Sequence, residues 1–379
     1  MKKSVLVLAL ASVFSTGATA GGILLHEVAT FDSVSSAGVA NTTNRKDASA
    51  AITSPAGLTA IEDSSFSIGL QYLDAYSEHN GTGALGNKSN NYGENKAVAP
   101  SLAYAKRVND QWVLGASLHA DGGLGMDYTN GRSGIGAVDK ESQEAVNIHL
   151  AAGYQATDEL SLGGALVVQH LMTTLDGGFG PLNVEGEDNN TAASFILSAM
   201  YDLSDTTYVS ANYKHRVKHD TNIKLDSNVG SATADMKVNW PGRIDLGIQH
   251  QINDQLTLKA MTGIEFWSDF DDAAKDVYSV GTAVEYTHQS WTYQAGIRYD
   301  SKMYDTKDMA PELAIGENWS IGLGAEKTRS NGHRIGLSYE YRDLGTHNVT
   351  YTIGETDIPY FDGRVDENRI HVLALSYAY

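Results

Sequence analysis

The sequence from Trp291 to Asp300 reads WTYQAGIRYD, and the character of its side chains alternates from one residue to the next. Trp291, Tyr293 and Ile297 are apolar or aromatic, whereas the intervening residues, such as Arg298, are polar or small. Successive side chains of a β-strand point to opposite faces, so this stretch has one apolar and one polar face. Strands of outer-membrane barrels have this pattern, with the apolar face toward lipid and the polar face toward the lumen. The stretch therefore predicts a strand of a transmembrane barrel.

The alternation recurs throughout the chain after Ser65. Each segment is near or above the roughly 9–11 residues with which a tilted strand crosses a bilayer. Tight polar turns and longer linkers alternate between the segments, as periplasmic turns and extracellular loops do in bacterial barrels. We therefore predict an all-β fold, a closed transmembrane antiparallel β-barrel of about 14 strands over residues 65–379, in the outer membrane of a Gram-negative bacterium. The predicted strands begin near Ser65, Lys96, Gln111, Ser142, Leu160, Thr191, Thr206, Ala234, Gln255, Val277, Trp291, Asn318, Gly332 and Asn368.

The last predicted strand, Asn368–Tyr379, ends on an aromatic residue. Leu373, Leu375 and Tyr377 share one of its faces. This pattern is similar to the carboxy-terminal assembly signal of bacterial outer-membrane barrels. We therefore expect the barrel-assembly machinery as a partner, and outer-membrane lipid and lipopolysaccharide around a monomeric barrel.

Residues 1–20 have the pattern of a removable export signal. Lys2 and Lys3 precede an apolar core, Val5–Val13, and small residues end at Ala20. The core is shorter than the roughly 20 residues of a membrane-spanning helix. We therefore expect cleavage after Ala20 rather than a membrane anchor.

The composition excludes several functional classes. The formal net charge of −19 disfavours nucleic acid as a partner, and the absence of cysteine excludes disulfides and thiolate metal sites. No cofactor or metal site is indicated, because the acidic loop Asp269–Asp276 matches no calcium-binding motif. Ser330 and His333 lie in a predicted turn and do not form a catalytic pair. We do not expect an enzyme.

The segment Gly21–Ile61 differs from the rest of the chain because it has no strand periodicity. We predict that residues 21–64 form a hatch, a plug inside the lumen of the barrel. Its apolar side chains have no strand to join, and the lumen is their only sheltered location. A disordered, exposed tail is the alternative, which such a dense apolar cluster disfavours. We expect the apolar side chains to line a ligand pocket; they are Ile23, Leu24, Leu25, Val28 and Phe31.

Two cations of the lumen face are further candidates for ligand binding. Lys259 and Arg298 fall near the middle of their predicted strands. Either cation could hold a carboxylate by a charge-assisted hydrogen bond. Alternatively, both pair with carboxylates on neighbouring strands and brace the wall.

Short motifs along the chain resemble those of the FadL family of outer-membrane transporters for long-chain fatty acids, which also includes importers of aromatic hydrocarbons. The hatch of that family has a Gly/Ala-rich run, an Asp-Ala-Ser step and an Asn-Pro-Ala turn. The matching residues here are Ser36–Ala40, Asp47–Ser49 and Ser54–Leu58, followed by Pro100–Tyr104, Gly123–Tyr128 and Glu265–Ser268.

The resemblance implies a fourteen-stranded barrel with a hatch, which takes up hydrophobic molecules passively and releases them sideways into the membrane. Long-chain fatty acids are the default cargo. An importer of aromatic hydrocarbons or alkanes, and a structural or adhesive barrel, are the alternatives. The resemblance further implies that the third strand kinks to open a lateral gap, which Gly122, Gly123 and Gly125 would form here. A flexible loop at these glycines is the alternative.

This sequence departs from the family at two places. Ser54 replaces the asparagine of the hatch turn, which is formed by Ser54, Pro55 and Ala56. The loop Thr174–Asn190 is short for the helical lid that forms a capture groove in the family. The short loop bears on the capture of cargo at the cell surface rather than on its passage through the wall.

Overall fold

The computed structural model describes residues 27–83, 88–122, 125–127, 138–179, 182–228, 230–269, 274–305, 315–352 and 359–379. Within them, eighteen antiparallel strand segments form one sheet. The predicted export signal, residues 1–20, lies outside the described residues. The segments are β1 Ser64–Gly83, β2 Lys88–Arg107, β3 Trp112–Ala120, β4 Met126–Asp127, β5 Val138–Gln155, β6 Leu160–Phe179, β7 Leu182–Ser204, β8 Thr207–Lys214, β9 Val217–Ser227, β10 Gly230–Trp240, β11 Arg243–Gln251, β12 Leu256–Glu265, β13 Val277–His288, β14 Trp291–Asp300, β15 Asn318–Thr328, β16 Arg334–Asp343, β17 His347–Thr352 and β18 Pro359–Ala378.

The sheet closes on itself, because β1 pairs with β18 from Ser67 opposite Ala378 onward. Four barrel strands consist of two consecutive segments each, namely β3 with β4, β8 with β9, β10 with β11, and β16 with β17. The eighteen segments therefore make fourteen barrel strands. The predicted fold class is confirmed. At Pro241 the break between β10 and β11 has a physical cause, since proline has no N–H to donate to a neighbouring strand.

The faces of the wall follow the alternation seen in the sequence. On β14, Tyr293 and Ile297 are 47% and 38% exposed, whereas Gln294 and Arg298 are 3% and 2% exposed. The apolar side chains therefore cover the outside of the barrel, and the polar ones face the interior. No described helix is long and apolar enough to span a membrane.

At the end of the barrel that carries the short turns, the observed strands start within two residues of the predicted positions. At the other end β13 and β15 begin at Val277 and Asn318 as predicted, but the remaining strands that begin there start earlier than predicted. β6 reaches Phe179 and β7 begins at Leu182, so the stretch Thr174–Asn190 is mostly a strand hairpin rather than a loop. The inner face of this hairpin stays buried at Leu171 and Leu175, whereas outward positions such as Thr174 and Asp176 are exposed and polar. The apolar outer face that indicates a lipid-facing strand is therefore lost while the backbone groups still pair. The described part of this hairpin contains no helix.

The described part of the chain before β1 lies inside the barrel, against the inner face of the wall. This part, residues 27–63, consists of short helices and turns without a strand. An α-helix, Phe31–Ser35, begins after Thr30, whose side chain accepts a hydrogen bond from the Ser33 N–H and so caps the helix. The other helices are Val39–Asn41, Ala50–Thr53 and Pro55–Ala60.

The hatch backbone lies directly against the wall at glycines of the inner face. A Cβ atom placed on Gly69 would stand 1.5 Å from the carbonyl oxygen of Ala29. One placed on Gly163 would stand 2.1 Å from the backbone nitrogen of Ala56. Both distances are far below van der Waals contact, so any other residue at these two positions would push the hatch away from the wall.

Candidate functional site

The hatch turn fastens the plug to the wall. Ser54 is fully buried and its Oγ donates a hydrogen bond to Asn212 Oδ1 at 2.9 Å. Ala56 donates its backbone N–H to Ser198 Oγ at 2.7 Å. Pro55 starts the helix Pro55–Ala60, where its missing N–H leaves no helical hydrogen bond unmade. The serine that replaces the asparagine of the family motif therefore bonds the wall through a short side chain.

A group of four charges joins the hatch to strands β12 and β13. Lys46 Nζ lies 2.9 Å from Asp32 Oδ1 and 2.9 Å from Glu285 Oε2. Lys259 Nζ lies 2.9 Å from Glu285 Oε2 and 3.4 Å from Asp32 Oδ1. Burial alone would raise the pKa of the Asp32 carboxyl, but the Lys46 and Lys259 ammonium groups outweigh it and hold that pKa below its usual range. The ammonium group of Lys259 is thus paired with Glu285 of the wall and with Asp32 of the hatch.

Further ion pairs hold the hatch at other points of the wall. Arg334 lies 2.6 Å from Asp47, and Arg45 lies 2.6 Å from Asp202. At the opposite end of the hatch, Arg342 Nη2 lies 2.6 Å from Oε1 of Glu27. The hatch is therefore fixed to the wall both along its backbone and by its charged side chains.

Arg298, the second cation predicted to bind a ligand, is also paired. Its Nε lies 2.8 Å from Asp300 Oδ1, and its Nη2 donates to Ser279 Oγ at 2.9 Å. The side chain is 2% exposed. The contacts of Arg298 and of Lys259 favour the alternative given above, in which these cations brace the wall.

The wall is interrupted between β2 and the third barrel strand. The pairing of β2 with β3 ends at Ser101 opposite His119 and resumes only at Glu94 opposite Asp127 of β4. Residues 95–100 of β2 therefore have no partner in β3 or β4. Gly122 lies in this interruption with φ +83°, a conformation that glycine adopts without steric cost.

A cavity of about 750 Å³ occupies this interruption. Ala97, Ala99 and Ala120 line it from the inner face, and Val98, which is 60% exposed, lines it from the outer face. The cavity therefore reaches both sides of the wall. Of the three glycines predicted at a lateral opening, Gly122 and Gly125 line this cavity, and Gly123 lies outside the described residues.

An apolar cluster inside the barrel extends from the extracellular connections to this gap. Its members near the connections include Trp267, Met303 and Leu344, all buried, and Leu73 joins them from β1. Ala97, Ala120 and Met126 pack against the same cluster at the gap. The sequence analysis missed these connection residues, since residues outside strands carry no periodicity. The signal available was the presence of large apolar side chains in otherwise polar connections.

The apolar hatch residues predicted to line a pocket have different positions. Val28 is 8% exposed and faces a small interior cavity. Phe31 is 2% exposed, and a Cβ atom on Gly336 would stand 2.7 Å from the Cβ of Phe31, so Phe31 packs on the wall. The remaining three, Ile23, Leu24 and Leu25, lie outside the described residues.

The acidic loop forms ordinary polar contacts in its described part. Asp269 lies 3.1 Å from Arg216, and Asp276 accepts a hydrogen bond from the Ser268 hydroxyl at 2.7 Å. No group of acidic or histidine side chains among the described residues is arranged to hold a metal ion.

Comparison with known proteins identifies the family of this barrel. Residues 11–325 match the family model described as outer membrane protein transport protein (OMPP1/FadL/TodX). The chain belongs to this family. The FadL resemblance inferred from the sequence motifs is thus confirmed, and so is the outer-membrane location. The members of the family are transporters.

Individual relatives of this FadL-family barrel are distant in sequence. It is 22% identical to outer membrane protein P1 of Haemophilus influenzae, over 86% of each chain. It is also 22% identical to the long-chain fatty acid transport protein of Escherichia coli, over 85% of this chain and 87% of the relative.

Solved structures show the same fold. The crystal structure of a Pseudomonas aeruginosa FadL homologue superimposes with a TM-score of 0.84 at 17% identity, over 94% of this chain and 99% of the other. The Ralstonia pickettii toluene transporter TbuX superimposes with a TM-score of 0.66 at 17% identity, over 93% of this chain and 98% of the other.

Proposed function

We infer that this barrel takes up hydrophobic molecules passively across the outer membrane and releases them sideways through the gap beside β3. The gap carries this inference, because it is a cavity of about 750 Å³ that reaches both faces of the wall. Its lining includes the small apolar side chains of Ala97, Ala99 and Ala120, which leave room for an alkyl chain, and polar residues such as Lys96 and Glu144 line the rest. Release into the membrane spares an apolar molecule from crossing water.

The closed axis of the barrel supports the sideways route. The hatch backbone touches the wall at Gly69 and Gly163 without space for one additional carbon atom. Lys46 and Arg45 fix the hatch to the wall by ion pairs with Glu285 and Asp202. Opening a path along the axis would break these contacts together, whereas the wall is already interrupted at the gap.

Long-chain fatty acids are the proposed cargo. The Escherichia coli relative is named for the transport of these compounds and aligns with most of the chain. The apolar cluster between Trp267 and Ala120 provides an apolar path from the extracellular connections to the gap. In this proposal the apolar start of the hatch, from Ile23 to Val28, adds to the lining of the path.

Residues 1–20 are proposed to be removed on export, and residues 21–64 to act as the hatch of a 65–379 barrel. The protein is proposed to work as a monomer without a cofactor and without enzymatic activity. Lys259 and Arg298 are proposed to brace the wall, and their existing ion pairs support that role over ligand binding.

The gap can be tested by filling it. Ala97→Phe and Ala120→Phe place large side chains on the inner lining of the cavity, and Ala295→Phe, on the lipid face of β14, is the matched control. The measurement is uptake of radiolabelled oleate by a strain that lacks its own outer-membrane fatty-acid importer. We expect uptake with the wild type and with Ala295→Phe, and a loss of most uptake with the two gap variants. Undiminished uptake by folded gap variants would overturn lateral release.

A further inference from the structure

A second, smaller cavity lies inside the barrel beside the gap. Its volume is about 40 Å³, and it shares the lining residue Ala120 with the larger cavity. A buried water needs about 10–15 Å³, so the small cavity has room for about three waters or for one carboxyl group. Apolar side chains of the hatch and the wall, Val28, Ile52 and Ile196, line one part of it.

Two buried histidines on the lumen face line the polar part of this cavity. His149 Nδ1 lies 3.1 Å from the carbonyl oxygen of Ala51, and because a carbonyl only accepts, this nitrogen carries the proton. The other ring nitrogen of His149, Nε2, is buried and has no hydrogen-bond partner among the described residues. The same holds for Nδ1 of His119. The two side chains are 1% and 3% exposed.

Unpaired buried nitrogens of this kind are uncommon, because a polar atom removed from water without a partner costs about 1–3 kcal/mol. The rings of His119 and His149 also contact each other edge to face, with centroids 4.6 Å apart. Both are therefore held in place, and the free nitrogens belong to a rigid arrangement. Nε2 of His149 thus offers a fixed hydrogen-bond acceptor to a polar group that enters the cavity.

The charges around the cavity indicate what kind of polar group it accepts. Glu27, Asp121 and Asp245 provide three carboxylates, against the two cations Lys214 and Arg243. The cations are engaged, since Lys214 contacts Asp121 and Arg243 lies 2.6 Å from Asp245. Glu27 is likewise paired, with Arg342, so an additional anion would find no free cation among these lining residues and would be buried without a partner in a site of low dielectric. A neutral group that donates one O–H meets no such penalty.

We propose that this cavity binds the polar end of the cargo through one O–H group, which donates a hydrogen bond to Nε2 of His149. The group is a protonated carboxyl or a hydroxyl, and the alkyl chain lies in the larger cavity at the gap. For a fatty acid, one proton lies between the carboxyl oxygen and Nε2 of His149, while Nδ1 keeps its own proton on the Ala51 carbonyl, so the acid and the ring together stay neutral. This proposal rests on the proposed function and adds a selectivity to it, namely a preference for cargo that ends in O–H.

Three ligands with the same alkyl chain test the preference: oleic acid, oleyl alcohol and methyl oleate, which has no O–H. Binding to the purified full-length barrel in detergent is measured for each. We expect His149→Leu to weaken binding of the acid and the alcohol by about 5- to 10-fold, the value of one hydrogen bond. Binding of the methyl ester is expected to stay the same.

His170→Leu is the matched control, because that ring lies on the outer face of β6 and contacts Thr191. His149 also holds the hatch at Ala51, so His119→Leu serves as a second variant, whose ring has no hydrogen bond to the described part of the hatch. The proposal would be overturned if the ratio of acid to ester affinity were the same in the wild type, in His149→Leu and in His119→Leu. If the wild type took up all three ligands with equal efficiency, the proposed O–H preference would be overturned and the proposed function would stand. If it took up none of them, the proposed function itself would be overturned.

Discussion

Gly163 on β6 lies against the backbone of Ala56 in the hatch, so closely that a Cβ on the glycine would stand 2.1 Å from the Ala56 nitrogen. Ala56 is held there by its hydrogen bond to Ser198 on the neighbouring strand. The missing side chain at Gly163 is therefore part of the site that receives the hatch. Gly163 thus helps to hold the hatch against the wall through close packing alone, because it has no side chain to form a bond.

Gly163→Val is expected to displace the hatch from the wall. Overpacking of this kind costs about 1–3 kcal/mol, and the backbone atoms that it strikes cannot move aside as a flexible side chain would. Protease accessibility of the hatch in the folded barrel is the measurement, and cleavage should become faster. Gly164→Val is the matched control, since a Cβ on Gly164 would stand 3.5 Å from its nearest neighbour, an ordinary contact. Equal cleavage of both variants would contradict the packing argument.

Removing Lys259 is expected to weaken hatch docking. Lys259→Met leaves Glu285 and Asp32 with Lys46 as their remaining cation. Loss of one partner from a buried pair costs up to about 3–5 kcal/mol, and removing the opposite charge as well recovers part of it. The double variant Lys259→Met/Glu285→Gln should therefore be more stable to urea than the single variant. A double variant that is less stable to urea than Lys259→Met would contradict the ion pair between Lys259 and Glu285.

The Asp32 carboxylate is expected to stabilise the docked hatch even in mild acid. Its pKa in the docked state lies below its usual range, so its contribution is present above the ordinary value of about 4 and is lost as the pH falls through the lower, docked value. The difference in protease protection between the wild type and Asp32→Asn should stay constant from neutral pH down to about pH 4. A difference that disappears at pH 5 to 6 would contradict the assigned direction.

Ser54→Ala is expected to destabilise the hatch turn moderately. The variant removes the donor to Asn212 Oδ1 and leaves that amide oxygen buried without its bond, at a cost of about 1–3 kcal/mol. Thr59→Ala is the comparison, because Thr59 also bonds the wall, at Ser161 Oγ, but from a half-buried position of the following helix where water can replace the lost bond. Hydrogen exchange of the backbone amides of the helix Ala50–Thr53 reports the difference, and exchange should accelerate more in Ser54→Ala.

Gly122→Val is expected to reduce oleate uptake while the barrel still assembles. The positive φ of Gly122 is strained for a β-branched residue, and the side chain would project at the lining of the gap. Gly332→Val provides the control, because Gly332 has the same φ of +83° but lies in a short turn with open space around it. Similar uptake by both variants would indicate that strain, rather than the gap, decides the result.

The barrel itself was determined by the sequence alone. Segments such as Trp291–Asp300 alternate because one face of each strand contacts lipid and the other the interior, and this requirement is local and repeats every two residues. The class of fold, the number of strands and the strand starts at the short turns could therefore be predicted. Most strand ends beyond the membrane could not, because the outward side chains of a hairpin such as that of β6 and β7 meet water and no longer form the apolar face of a lipid-facing strand.

The site depended on contacts between residues that are far apart in sequence. Lys259 was a plausible ligand cation until the fold brought Asp32 of the hatch to within 3.4 Å of it, and no local pattern encodes that distance. Likewise, the glycines near residue 122 indicated a bend, but only the register of β2 against β3 and β4 shows that the wall is interrupted. A closed wall fixes the periodicity of each strand, whereas what faces the hatch across the lumen is decided by tertiary packing.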